Sequence, residues 1–456
     1  MARDDRLLLI ASQRFGLGGD AGDIGADPRG WARDQARRPA DPLPDSLPGI
    51  AEAIANERAG RAFNTRLRAA RALAQERGEE PPRPPPRAER GFSGPNETAN
   101  DLLAAWLDRA PATAAPLAER LVLHWHDHFT TSRARTIVGH FLPDLERTAI
   151  RPHIHGPFAA MLKAAVLHPA MLIYLDGAAS AGPDSPLARR RPGRLGLNEN
   201  LGREILELHT LGVDGGYGQE DVRALSLALS GWTIGFGEDP PPFPFDPARH
   251  QPGPKVLLGR TYAEDGPGQA PAMLDDLARH PATARHVARR FVRHLVGGGL
   301  PGLEARMAAA FAASGGQLGA MTRALVEDLE SWGPPRKLRP PIELLLGAAR
   351  LLGGLPPRPA PAAALDAMGQ PFATAPLPAG WPAADDAWTS PDGVKTRLDW
   401  AAQLAAALPA GTDARALLHR ALGPAASAET RRAVDRAEDG RQALALLLLS
   451  PEFQRR

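Results

Sequence analysis

The stretch "PLAERLVLHWHDHF", Pro116 to Phe129, decides the fold class. Leu117, Leu121, Trp125 and Phe129 recur at four-residue spacing, and His124 and His128 flank them on the same face. That period is helical. Two imidazoles four residues apart can share one metal ion. His126 points elsewhere if the helix continues. If the helix ends here, as "FTTSRARTI" suggests, His126 and His128 converge instead. The competing reading makes these histidines buried hydrogen-bonding groups.

Working outward, "DLLAAWLDRA", "PFAAMLKAAVL", "QEDVRALSLAL", "TARHVARRFVRHLV", "GAMTRALVEDLESW" and "PIELLLGAARLL" repeat the period. Runs of β-branched residues are few. The expectation is a mainly α protein, a large irregular multi-helix bundle with long Pro/Gly-rich loops and little or no β-sheet. Three segments punctuate it: Glu79–Asn96, which reads as a polyproline-like linker, Phe236–Lys255, which carries His250, and Gly353–Ala364. They suggest an N-terminal helical region over 1–95, a central core with the His/Glu motifs over 96–235, a loop-plus-helix region over 236–352 and a C-terminal helical region over 353–456.

Composition excludes several classes. At 43% hydrophobic and 23% charged the chain is globular, not disordered. A formal charge of +2 in 456 residues, with arginines interleaved among acids, argues against a nucleic-acid partner. The lysines are Lys163, Lys255, Lys337 and Lys395. There is no cysteine, which removes thiolate chemistry. No apolar run approaches a membrane span, and the N-terminal run is too short for a signal-peptide core. A soluble, by default cytoplasmic, protein is expected. Phosphate loops, dinucleotide fingerprints and nucleophile elbows are missing, so no nucleotide cofactor is expected.

A second stretch, "NENLGREILELHTLGVDGGYGQED" (Asn198–Asp221), joins carboxylates to an apolar stripe. On a regular helix Glu199, Arg203, Glu207 and Thr210 lie within about 80° of one another. Glu204 sits at the edge, and His209 turns to the apolar side. The plain reading is a solvated face with i,i+4 ion pairs Glu199–Arg203 and Arg203–Glu207. The functional reading has Glu204 and Glu207 converge on a cation with histidines of another helix. Gly212 then caps the helix, Gly215 and Gly216 make a turn, and a new helix starts at Gln219. Tyr217 folds back near the first helix, as a site donor or a packed aromatic.

Seven of the thirteen histidines fall between His124 and His168, more than scatter gives, with "RPHIHGPF" (His153, His155) and "LHPAM" (His168) among them. In "RHPATARHVARRFVRHLV", Arg285, Arg289 and Arg293 share one helical stripe. It is a solvated face or, with Arg285 and Arg289, an anion site.

Taken with "LLLIASQRFGLG", "HQPGPKVLLG", "LRPPIELLLGAAR", "MGQ", "AGWPAADDAW" and "LLSPEFQ", these motifs resemble the bacterial domain-of-unknown-function 1800 family across nearly the whole chain. The resemblance implies a mostly helical fold and no stated activity. It also implies, by association, a partner from the sulfatase-like domain-of-unknown-function 1501 family. Gly218, Gln251 and His124 depart from the family's usual threonine or serine, aspartate and apolar residue. The functional expectation is a metal-dependent enzyme for oxidation or hydrolysis, binding iron, manganese or zinc through His124, His126, His128, Glu204 and Glu207. Arg203, Glu207 and Tyr217 are its candidate catalytic groups. The alternative is a non-enzymatic helical scaffold working with the sulfatase-like companion.

Overall fold

The computed structural model describes residues 3–237, 245–409 and 411–456. Residues 238–244 of the second predicted loop therefore lie outside the described residues. The helices used below are α1 (Ile50–Glu76), α2 (Pro95–Arg109), α3 (Pro116–His128), α4 (Asn200–Glu204), α5 (Gln219–Leu229), α6 (Pro281–Leu295) and α7 (Pro341–Leu352). The fold is mainly α, as the periodicity predicts. The one sheet among the described residues is a hairpin of β1 (Lys255–Leu257) and β2 (Arg260–Tyr262), antiparallel, with Val256 opposite Thr261. Its turn residues Leu258 and Gly259 both have positive φ, +48° and +75°, the combination a tight primed turn needs.

Buried apolar residues from Leu9 to Phe453 form one contiguous cluster. α3 runs through it: all its residues except His126 and Asp127 are buried. A helix buried on every side must bury its charges too, and buried charge is tolerated only when paired. Glu119 accepts two bonds of 2.8 Å from Arg151. Arg120 donates to Glu343 Oε2 (2.7 Å) and to the carbonyls of Gly16 and Gln13. Glu343, on α7, is also held by Arg456. Opposing guanidinium groups thus lock the first turns of α3 and α7 together.

Proline opens α2, α3, α6 and α7, where its missing N–H costs nothing. Two "HPA" sequences use histidine as the N-cap before such a proline. His168 Nδ1 accepts from Ala170 N–H (3.1 Å), and His280 Nδ1 from Ala282 N–H (3.2 Å). His168 also reaches Asp144 Oδ2 at 3.1 Å. Two of the thirteen histidines are thereby structural caps.

The periodicity reading does not single out α1, the 27-residue helix, because only Ala53, Ile54 and Ala74 on it are buried. It lies over the surface with the proline-rich segment, which is extended over 79–86 as expected, whereas Arg87–Arg90 form a helical turn and Pro95 and Asn96 already belong to α2. Arg71 Nε donates to the Pro82 carbonyl at 3.1 Å.

No helix among the described residues is long and apolar enough to cross a membrane.

Candidate functional site

The second sequence motif is not a regular helix. Asn200–Glu204 is α-helical, but Ile205–His209 winds as a π-turn, which rotates the residues after it away from the 100° wheel. Thr210 Oγ1 donates to the Ile205 carbonyl at 2.7 Å, and Gly212 N–H to the Leu206 carbonyl at 3.1 Å. Gly212 closes the helix at φ +83°, as expected. A Cβ there would stand 2.7 Å from His286 Nδ1, so only glycine fits. Helix α5 then begins at Gln219. Gly218 has no side chain to cap its first turn, and Asp221 reaches back instead: Oδ2 accepts from Gly218 N–H (2.8 Å) and Oδ1 from Leu258 N–H (2.7 Å).

The predicted i,i+4 ion pairs on this motif do not form. Glu199 is drawn across to α5, accepting from Gln219 (2.6 Å) with Arg223 at 3.6 Å, and Arg203 donates to Gln219 Oε1 (2.9 Å). Glu204 and Glu207 stay half-buried. Burial and then the charge of Glu207 push the Glu204 carboxyl upward. Tyr217 packs partly buried against the core, its hydroxyl raised by burial and by Glu207. These carboxylates therefore make their own patch with Tyr217 and Tyr174.

The histidines of α3 go elsewhere. His126 sits edge-on to Trp106, at 5.4 Å between ring centres, with Nε2 3.9 Å from Glu146. His124 and His128 point inward and join an imidazole series through the core. His294 to His124 is 4.9 Å between ring centres, His124 to His128 6.2 Å, His128 to His209 6.0 Å and His128 to His286 6.4 Å. His128 Nε2 lies 3.1 Å from the His209 carbonyl and His286 Nε2 2.8 Å from the Leu208 carbonyl. Burial is the main cause holding these five rings neutral. It brings His209 down to about 3 and His286 to about 4, and sets His124, His128 and His294 well below the usual imidazole range. The nearby positive charge of Arg290 lowers His124, His128, His209 and His286 further.

Among the described residues, no group of three or more His, Asp or Glu side chains is arranged to hold a metal ion. The predicted set of His124, His126, His128, Glu204 and Glu207 is split by the geometry of the two helices. His124 and His126 both reach the wall of one cavity, His128 turns to His209 and His286, and the glutamates group with Tyr174 and Tyr217.

What α3 does build is one wall of a cavity of about 410 Å³. The facing walls are α6, the start of α7 and the segment 370–383. His124, His126, Asp127, Arg290, His294 and Lys337 line it together with Leu123, Ile342, Leu365, Phe372, Leu377 and Trp381. The 370–383 segment has no regular structure of its own and is held by side chains. Gln370 Oε1 accepts from Ile342 N–H (2.8 Å). Arg133 Nε donates to the Phe372 carbonyl (2.7 Å). Arg290 donates to the Ala379 carbonyl (3.0 Å), and Lys337 to the Ala383 carbonyl (3.1 Å). Asp127 Oδ1 accepts from Trp381 N–H at 2.8 Å. A Cβ on Gly380 would approach that same oxygen to 2.6 Å, so glycine is required where the segment crosses the aspartate.

One side of the cavity is lined by basic side chains. Glu343 reaches the wall but is neutralised by Arg120 and Arg456. Asp127 faces Arg290 at 3.8 Å, Arg293 in the wall lies 3.7 Å from Glu304, and Lys337 completes the basic side. Burial pushes the Asp127 carboxyl above its ordinary range, against the opposing pull of Arg290. An apolar chamber with a cationic side and one carboxyl of raised affinity for a proton can bind an organic anion and exchange a proton with it.

Of the predicted anion residues, Arg285 lies exposed on the outer face of α6, and half-buried Arg289 contacts His286 at 3.5 Å. The helix is the predicted one, but the cavity takes Arg290 from it. Sequence reasoning missed Arg290, His294, Lys337 and the 370–383 segment as site components. The scarcity of lysine was a usable signal for Lys337.

Comparison with curated proteins and with solved structures gives no match. The family model described as "Protein of unknown function (DUF1800)" matches residues 10–455, and the chain belongs to that family.

Proposed function

We propose that this protein is an enzyme acting on a small organic anion, held in the cavity between α3, α6, α7 and the 370–383 segment. The apolar body of the ligand packs on Leu123, Ile342, Phe372 and Leu377, and its anionic group faces Arg290. Asp127 is the proton-exchanging group. The observation that carries this reading is the cationic side of an otherwise apolar cavity, whose volume of about 410 Å³ lies within the usual range for small-molecule sites, about 300–1,000 Å³. A charge-assisted hydrogen bond from a guanidinium contributes about 1.5–3 kcal/mol, a tenfold or larger effect on affinity. Calorimetric titration with linear carboxylates and the matching amides tests it. Carboxylates should bind, amides should not, and Arg290→Gln should weaken carboxylate binding at least about tenfold. Equal binding of the amides, or unchanged affinity in Arg290→Gln, contradicts the reading.

A metal-dependent form of this enzyme is a second reading, favoured by one observation. Among the described residues, both ring nitrogens of His124 and Nε2 of His294 are buried without hydrogen-bond partners beside the cavity. Iron, manganese or zinc would find nitrogen donors there, with Asp127 as the nearby anion. The surrounding Arg290, Lys337 and Arg456 oppose a dication. Elemental analysis decides: this form expects near-stoichiometric metal in the wild type and its loss in a folded His124→Ala variant. Protein purified after metal supplementation that carries no metal, or that keeps it in His124→Ala, rules this form out.

A further inference from the structure

We propose that Lys337 captures a carbonyl compound: its side-chain amine condenses with the oxo group of an oxo acid bound in the cavity, forming an imine. This rests on the reading of the cavity as an organic-anion site.

Lys337 differs from the chain's other lysines. Lys163 pairs with Asp275 at 2.7 Å and Lys395 with Asp399 at 2.6 Å. Lys337 is buried, and among the described residues no carboxylate stands within ion-pair distance of it. It contributes to the wall of the 410 Å³ cavity and to that of a neighbouring cavity of about 620 Å³, so it stands between the two. Its backbone is fixed by strand-like pairing with the last residue: the carbonyl accepts from Arg456 N–H at 2.9 Å, and the N–H donates to the Arg456 carbonyl at 3.2 Å.

The Nζ donates to two carbonyls, Arg293 at 2.9 Å and Ala383 at 3.1 Å. A neutral amine has two N–H bonds and one lone pair, whereas an ammonium has three N–H bonds. Two carbonyl acceptors therefore satisfy both N–H bonds of the neutral form, and among the described residues Nζ has no third acceptor. The surroundings bring that form within reach near neutral pH. Burial and Arg456 lower the amine to about 8, against the opposing charges of Glu343, Asp385 and Asp127. Lys255 has an equivalent carbonyl pair, from Gln251 (2.5 Å) and Gly253 (2.9 Å), but lines neither cavity. It is an internal control for the cradle without the chamber.

In the reaction the lone pair of Nζ attacks the carbonyl carbon, and one of the two amine protons moves to the carbonyl oxygen to give a carbinolamine. The hydroxyl then leaves as water with a proton supplied by Asp127. Loss of the remaining N–H proton completes the C=N bond and restores the Asp127 proton. One water is released per imine, and nothing is oxidised or reduced. Arg290 holds the carboxylate of the oxo acid meanwhile.

The full chain is incubated with 2-oxohexanoate and cyanoborohydride, and the adduct is located by peptide mass spectrometry. Parallel calorimetry with hexanoate reads anion binding alone. The expected result is one reduced adduct on Lys337, formed more than about tenfold faster than on Lys163, Lys255 or Lys395. It should be absent in Lys337→Arg, which keeps donors for both carbonyls. Hexanoate binding without an adduct, or labelling no faster at Lys337 than at Lys255, overturns the imine and leaves the anion site standing. Labelling at Lys337 without hexanoate binding supports the imine and counts against the anion site. Absence of both overturns both.

Discussion

Acidification from about pH 7 to about pH 5 should destabilise the folded protein by up to about 2 kcal/mol for each buried imidazole that stays neutral. His124, His128 and His209 are at most 2% exposed, and His286 is 7% exposed. Burial holds all four below their ordinary value, with His209 at about 3 and His286 at about 4. Below the unfolded value of 6.5 the unfolded chain takes up protons that the native state refuses. The unfolded state then binds more protons, so stability is full above that value and is lost as pH falls. Urea midpoints measured across this range should decline steadily. In His128→Phe, which fills the same space without a titrating ring, the slope should be shallower by up to about 1.4 kcal/mol per pH unit. A flat profile in the wild type, or an unchanged slope in the variant, contradicts the neutral imidazole series.

The second large effect is expected at Glu343. This carboxylate is 2% exposed and bonds to both Arg120 and Arg456, which hold it down to about 2 despite burial. Arg14 and Arg339 are buried nearby; Arg14 bonds to the carbonyls of Ser331 and Gly333, and Arg339 lies over Phe453 at 5.0 Å. Glu343→Gln removes the negative charge that balances this cluster. Breaking a buried pair from one side costs about 3–5 kcal/mol, because the partner charge is left uncompensated. The expected outcome is a loss of that size in denaturant unfolding at neutral pH. In the wild type the contribution is complete above about pH 4.5 and is lost as pH falls toward about 2. A change below about 1 kcal/mol in Glu343→Gln would mean that the cluster is not charge-balanced through Glu343.

The helical class was legible because apolar residues at three- and four-residue spacing carry it directly, and the glycine-built turn after His209 was legible because Gly212 must take a left-handed backbone. The fate of the charged residues was not. A helical wheel assumes one exposed face, but α3 is buried on nearly all sides, and even its charged Glu119 and Arg120 are core. The wheel also assumes a constant 100° step, and the π-turn at Ile205–His209 breaks it. Among the described residues, Glu204 and Glu207 form no metal-holding group with the histidines they were expected to meet. The candidate site was half legible. "HWHDHF" does face the cavity through His124, His126 and Asp127. Its partners Arg290, Lys337 and Trp381 come from segments 160 or more residues away in sequence, and no local pattern pairs them.

The central claim is that the chamber under the 370–383 segment is where this protein holds its ligand. The most direct measurement is a crystal structure of the full chain soaked with the tightest-binding carboxylate from the calorimetric series. The account predicts density in the chamber, with the carboxylate against Arg290 and the apolar chain toward Ile342 and Phe372. Density for that ligand on the outer face of α6 at Arg285 and Arg289, or against Glu204 and Glu207, with the chamber empty, would contradict it.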